Sequence, residues 1–206
     1  MGDYIKRLLI AGIIALCVSL LFLGGKHPQA SMLDKNGKEK IDWIWPADGV
    51  ISDTFGTRQG RHKGIDIAGE INSPIFAVDG GIVEKSYYSN SYGNVIFIKH
   101  PSNYVTVYAH LSNRLVQEGQ KVAKGYIIGK MGRTGQATGV HLHFETHEIN
   151  WTYDKRYALN PVNLLGEAKL GEIVQAGTNN VKSVLEATSD FVYIVRVGDT
   201  LSSIAD

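Results

Sequence analysis

Residues 140–147 read Val-His-Leu-His-Phe-Glu-Thr-His, apolar and polar side chains alternating with a period of two. Among the regular elements only a strand uses that period, because its successive side chains point to opposite faces. Leu142 and Phe144 then face one side, while His141, His143 and Glu145 face the other. The chain is thereby committed to a sheet with imidazoles on one face. Two such rings on alternate residues stand about 7 Å apart, close enough to serve one metal centre, one as ligand and one just outside it. A lone His-x-His pair is more often an ordinary half-buried strand, so the rest of the sequence has to decide.

Upstream, the chain reads Gly60-Arg-His62-Lys-Gly-Ile-Asp66-Ile-Ala-Gly69. The even spacing of His62 and Asp66 places them on one face of an extended segment. Flanking glycines and the isoleucines at 65 and 67 favour a loop entering a strand over a helix. His, Asp and His form a donor set suited to Zn2+, and three protein ligands leave a fourth tetrahedral position open for water. A third element, Thr106-Val-Tyr-Ala-His110-Leu111, is a β-branched and aromatic strand ending in histidine. By parity with Thr106 and Tyr108, His110 is expected to face the same groove.

Taken in order, these three motifs resemble the lysostaphin or LytM type of zinc peptidase, metallopeptidase family twenty-three, over residues 45–165. The resemblance implies a mainly β fold, an antiparallel sheet or half-barrel of the duplicated-hybrid-motif kind, preceded by one N-terminal apolar helix. The short alternating runs at residues 75–83 and 116–129, punctuated by turn glycines, fit that architecture. The second run also looks like the hairpins of lipoyl and biotinyl carriers, which have no such histidine set. The resemblance further implies one Zn2+ per chain on His62, Asp66 and His143. His110 and His141 are the implied catalytic pair: His141 the expected base, His110 steadying the oxyanion or protonating the leaving amine. Glu145 shares the metal-facing parity and is a candidate to support a ligand. Tyr92 is expected to be structural. His100 and His147 match no motif role and are expected at the surface or behind the ligands.

Lys6-Arg7 precedes an apolar run over residues 8–23 that ends at Gly24-Gly25-Lys26. Its length falls between a signal core of about 7–15 residues and a spanning helix of about 17–25. The expectation is an uncleaved membrane anchor over residues 1–30, the alternative being a signal cleaved near Ala30-Ser31. Either way the domain is exported. Residues 31–42 read as a linker, 43–165 as the peptidase domain, and 166–190 as a second linker with a short helix near 181–187. The tail 191–206 resembles the opening of a LysM module, here incomplete. The single cysteine, Cys17, excludes an internal disulfide framework. A net charge of +1 without a basic stripe excludes nucleic-acid binding by charge.

By this resemblance, the substrate is the stem peptide or cross-link of bacterial peptidoglycan, hydrolysed at an amide bond. The arrangement of segments is most similar to the Bacillus sporulation endopeptidases that cut L-Ala–D-Glu in spore cortex. The alternative is a non-catalytic regulator or scaffold of cell-wall hydrolases, a role some LytM-type domains have taken after losing zinc ligands.

Overall fold

The computed structural model describes residues 41–178 and the backbone of Val181–Lys182. The apolar segment 1–30, the stretch 31–40 and the LysM-like tail 191–206 lie outside the described residues. Among the described residues, no helix is long and apolar enough to cross a membrane.

Strands dominate, as the alternation required. In chain order they are β1 (Gly49–Asp53), β2 (Ile65–Ala68), β3 (Pro74–Phe76), β4 (Gly81–Ser89), β5 (Gly93–Lys99), β6 (Tyr104–Leu111) and β7 (Asn113–Arg114). There follow β8 (Lys121–Val122), β9 (Ile127–Lys130), β10 (His141–Glu148), β11 (Ala158–Leu159), one helical turn α1 (Val162–Leu165), β12 (Ile173–Val174) and β13 (Val181–Lys182). Ten strands make one sheet in the order β13-β12-β1-β2-β10-β6-β5-β4-β8, with β11 also on β10. A second sheet of three runs β3-β9-β7. The architecture is the mainly β, antiparallel one expected.

Both faces of the large sheet's middle are buried, which explains why β5 and β6 read as nearly continuous apolar runs. On one face Ile65, Ile67, Ile96, Ile98, Tyr108, Leu142 and Phe144 pack with Trp43, Trp45, Ile75 and Ile128. Each such side chain contributes about 1.5–3 kcal/mol by leaving water. The opposite face carries a smaller cluster of Val95, Phe97, Val105, Val107 and Ala109, covered by Tyr92 and Trp151. Beside this smaller cluster, on the same face, the imidazoles of β10 emerge.

The domain is longer at both ends than the sequence suggested. Ile41 packs against the core, and Lys124 Nζ pairs with Asp42 Oδ2 at 2.7 Å. Residues 166–178, expected as linker, carry β12, which pairs with β1 and buries Val174. Four backbone hydrogen bonds reinforce the return: Ile51 N to Glu172 O, Gly171 N to Ile51 O, Trp45 N to Thr178 O and Gly177 N to Trp45 O. Val181–Lys182, expected at the start of a short helix, forms β13 on β12 instead. The cause is a free edge: β1 would otherwise present unpaired donors and acceptors.

Ending the chain at Leu165 should therefore destabilise the domain by about 2–5 kcal/mol, from the exposure of Val174 and the lost edge hydrogen bonds. Calorimetry of that truncation beside one ending after Lys182 checks this. Equal melting midpoints would show that β12 contributes nothing.

Candidate metal centre

The centre forms where β2, β10 and β6 run side by side. His143 lies directly across from Asp66 on one side and from Ala109 on the other. Ile65 and Ile67 on β2, and Leu142 and Phe144 on β10, are drawn into the main core, which turns Asp66 and His143 to the opposite face. His62 arrives from the loop before β2, brought close by Gly64. A Cβ there would stand 2.4 Å from Phe144 O and 3.0 Å from the His143 ring. Only a residue with no side chain allows that approach.

His62, Asp66 and His143 are all buried, and one donor atom from each lies within 4.8 Å of the others. Asp66 Oδ1 is 3.1 Å from His62 Nε2 and 2.7 Å from His143 Nδ1, and the two nitrogens are 3.2 Å apart. Ligands at about 2.0–2.2 Å from a tetrahedral zinc stand about 3.3–3.6 Å from one another. A small spreading at Asp66 makes the triangle fit. The donors, two nitrogens and one carboxylate oxygen, are a set zinc accepts.

The rings are held in defined tautomers. His62 Nδ1 donates to Thr54 O at 2.8 Å, which turns Nε2 towards Asp66 and His143. His143 is turned the other way: its Nε2 meets Glu145 Oε1 at 2.8 Å, and Nδ1 faces the centre. His110 Nδ1 donates to Thr134 O at 2.8 Å and His141 Nδ1 to Gly139 O at 3.0 Å. A carbonyl can only accept, so both rings leave Nε2 free. Their centroids are 4.8 Å apart, and His141 Nε2 is 3.8 Å from Asp66 Oδ1.

His110 reaches this groove by a route that parity missed. Thr106 and Tyr108 do not face the groove: Tyr108 belongs to the main core, and Thr106 hydrogen-bonds Tyr108 and His100 beneath the sheet. Strict alternation would bury His110 with them. Between Tyr108 and Leu111 the pairing with β5 shifts, and His110 has φ of 61°, a left-handed conformation. This bulge adds a residue to β6 and re-aims the imidazole across the sheet.

Glu145 is fully buried behind His143. Its Oε1 accepts from His143, from Tyr92 Oη at 2.8 Å and from Lys155 Nζ, while Oε2 accepts from His147 Nε2 at 2.8 Å. Glu145 thus holds the His143 ring from behind, on the face its parity suggested, and Tyr92 is tied to it. His147 is buried in the same network. His100 is buried as well, its Nδ1 donating to Gly80 O in the core below, far from any surface role.

Sequence reasoning missed Lys155 and Arg58. Arg58 Nη2 reaches Asp53 Oδ2 at 2.7 Å and Asp66 Oδ2 at 2.9 Å. It does so from the turn Thr57–Gly60, which is wound left-handed: φ is 54° at Arg58 and 60° at Gln59. Such conformations cost about 1–3 kcal/mol each, and the guanidinium's bonds to Asp53 and to the buried Asp66 hold the turn against that strain. A clue was present, since Gly56 and Gly60 bracket a tight turn.

Charge follows geometry. Burial opposes ionisation of Asp66, yet hydrogen bonds from His143 and His62 outweigh it and hold the carboxyl far below its ordinary range. Glu145 is likewise held low against its burial, by His143 and His147. Burial disfavours a charged His143, but its bonds to Asp66 and Glu145 push it up to about 9. Burial pushes His110 down to about 4.

These shifts predict how metal-free protein responds to pH. The raised pKa of His143 gives stability present below pH 6.5 and lost as pH rises through about 9. The lowered pKa of His110 gives stability present above 6.5 and lost as pH falls towards about 4. Chelated protein should be most stable near pH 6.5. If Zn2+ takes the place of the proton on His143 Nδ1, the gain in melting temperature on adding zinc should grow from pH 6.5 to 9. A zinc-induced gain that shrinks over that range would contradict the arrangement.

Comparison with known proteins agrees with the geometry. A family model described as peptidase family M23 matches residues 60–161, which include all five residues of the groove. The peptidoglycan DD-endopeptidase ShyC of Vibrio cholerae is 45% identical over 84 residues, 41% of this chain and 19% of that protein. The murein hydrolase activator NlpD of Escherichia coli is 44% identical over 104 residues, 50% of this chain and 27% of that protein. The matched stretches thus span under a third of either relative. The catalytic domain of lysostaphin from Staphylococcus simulans superimposes with a TM-score of 0.51 at 30% identity, covering 58% of this chain and 90% of that domain. With its groove residues inside the matched region and nine-tenths of a solved catalytic domain reproduced, this chain belongs to peptidase family M23.

Proposed function

We propose that this protein is a zinc-dependent endopeptidase that hydrolyses an amide bond in the peptide part of peptidoglycan, outside the cytoplasm. The observation that carries the reading is the pair of open Nε2 atoms, on His110 and His141, beside a buried three-donor centre. Bound by His62 Nε2, Asp66 Oδ1 and His143 Nδ1, Zn2+ would supply Lewis acidity towards the scissile carbonyl and make a neighbouring water easier to ionise. His141 and His110 then handle protons at Nε2: each can take one there and return it to the leaving amine nitrogen. Burial keeps His110 neutral at pH 7 and ready to accept. Thr134 O and Gly139 O hold the two rings in orientation throughout. Relatives bearing lipoprotein names support an extracytoplasmic, membrane-anchored setting.

A second reading, an activator of separate cell-wall hydrolases, is favoured by names among the relatives, several of which are murein hydrolase activators. The intact donor set favours hydrolysis, since an activator has no need of it. Incubating the zinc-loaded protein with purified peptidoglycan, followed by mass spectrometry, separates the two. Hydrolysis is expected to release new amino termini. His110→Ala and His141→Ala should keep zinc and lose about 10²–10⁴-fold in rate. Product mass tells a D,D bond, the kind named for the Vibrio relative, from L-Ala–D-Glu in the stem. No cleavage alone, but stimulation of an added wall amidase that survives His141→Ala, would establish the activator instead.

A further inference from the structure

Asp53 and Asp66 are direct cross-strand partners on β1 and β2, just past an irregularity in the register. Like charges so placed repel. Between them lies the Arg58 guanidinium. Its Nε and Nη2 both reach Asp53 Oδ2, at 2.9 and 2.7 Å, and Nη2 also reaches Asp66 Oδ2 at 2.9 Å. The two oxygens of Asp66 therefore have separate duties: Oδ1 faces His62 and His143, and Oδ2 belongs to Arg58. Asp53 is fixed in turn, its Oδ1 accepting from Thr57 Oγ1 at 2.7 Å and from Thr54 N at 2.8 Å. The left-handed backbone at Arg58 and Gln59 delivers the guanidinium to this spot.

We propose that Arg58 is a positioning residue that restricts Asp66 to one-oxygen ligation, keeping Oδ2 off the metal and the centre's remaining position open to water and substrate. The inference rests on the metal-centre reading above and assigns a new task to a residue outside the donor set. A carboxylate can ligate through one oxygen or two, and a second oxygen from Asp66, entering beside the water as a fifth ligand, would crowd the place the reaction needs. A lysine ammonium is a compact point charge without the planar fork that spans both aspartates.

The test uses the full chain loaded with Co2+, whose visible absorption is intense in four-coordinate sites and weakens when a fifth ligand enters. Wild type should bind one Co2+ with intense absorption. Arg58→Met should still bind one Co2+, with weakened absorption and a kcat on peptidoglycan reduced about 10–100-fold at little change in KM. Arg58→Lys should resemble Arg58→Met. Should Arg58→Met fail to fold by circular dichroism, Asp53→Asn, which unfastens Arg58, must show the same spectral change in milder form. Unchanged absorption and kcat in the variants that fold overturn the proposal while leaving the metal centre standing. Absence of Co2+ binding by wild type would overturn the centre itself, and the role of Arg58 with it.

Discussion

Replacing His143 with alanine should empty the protein of zinc, leave it folded, and reduce hydrolysis by at least the roughly 10²–10⁴-fold that a positioned catalytic group supplies. Two donors, His62 Nε2 and Asp66 Oδ1, would remain, too few for a stable centre. The fold survives because Glu145, though buried behind His143, keeps Tyr92, Lys155 and His147 as partners. Elemental analysis and circular dichroism on the same sample check both halves. Zinc content equal to wild type would remove His143 from the ligand set. Stimulation of an added amidase should be indifferent to this substitution if the protein is an activator, so the one variant bears on both readings.

Glu145→Ala should act in the opposite sense, through the fold first. The carboxylate is fully buried and holds Lys155 Nζ, Tyr92 Oη, His147 Nε2 and His143 Nε2. Removing it strands a partly buried ammonium and several donors at once, and breaking such a buried pair costs about 3–5 kcal/mol. It also frees the His143 ring to rotate, and losses of this kind lower metal affinity about 10–100-fold. Urea denaturation of metal-free protein isolates the stability term, and zinc titration then gives the affinity. Glu145→Gln should lie between, since its amide oxygen still accepts but Lys155 loses its countercharge. A metal-free midpoint for Glu145→Ala within error of wild type would mean the network is ornamental.

The sequence disclosed the strands that carry His143 and Asp66 because each has core residues on one side and polar ones on the other. Ile65 and Ile67 flank Asp66, and Leu142 and Phe144 flank His143, so period and burial gave the same answer. Neither rule could place His110, whose route depends on one left-handed residue in a bulge. Parity placed it in the right groove for the wrong reason, on the face Tyr108 does not share. The final strands were illegible for another cause. Ile173-Val174 is too short to show a period, and it becomes strand only because β1 has an edge to cover. Of His100 and His147, expected at the surface or behind the ligands, His147 lies behind His143 on Glu145, while His100 is buried on a partner, Gly80 O, that is distant in sequence. Lys155, in a loop with positive φ, carried no periodic signal.

Three imidazoles in the groove are oriented by main-chain oxygens: Thr54 O, Thr134 O and Gly139 O. A carbonyl is present whatever residue occupies the position, so no change of side chain at 54, 134 or 139 deletes the acceptor. The orientation of these rings is thereby insulated from substitution around them, and only a shift of the backbone can release it. Side chains on these loops can thus change without deleting the acceptors that orient the rings. That freedom is greatest at positions 54 and 139, since at 134 the threonine Oγ1 donates to Leu111 O and accepts from Asn94 N and so helps to hold the loop's path.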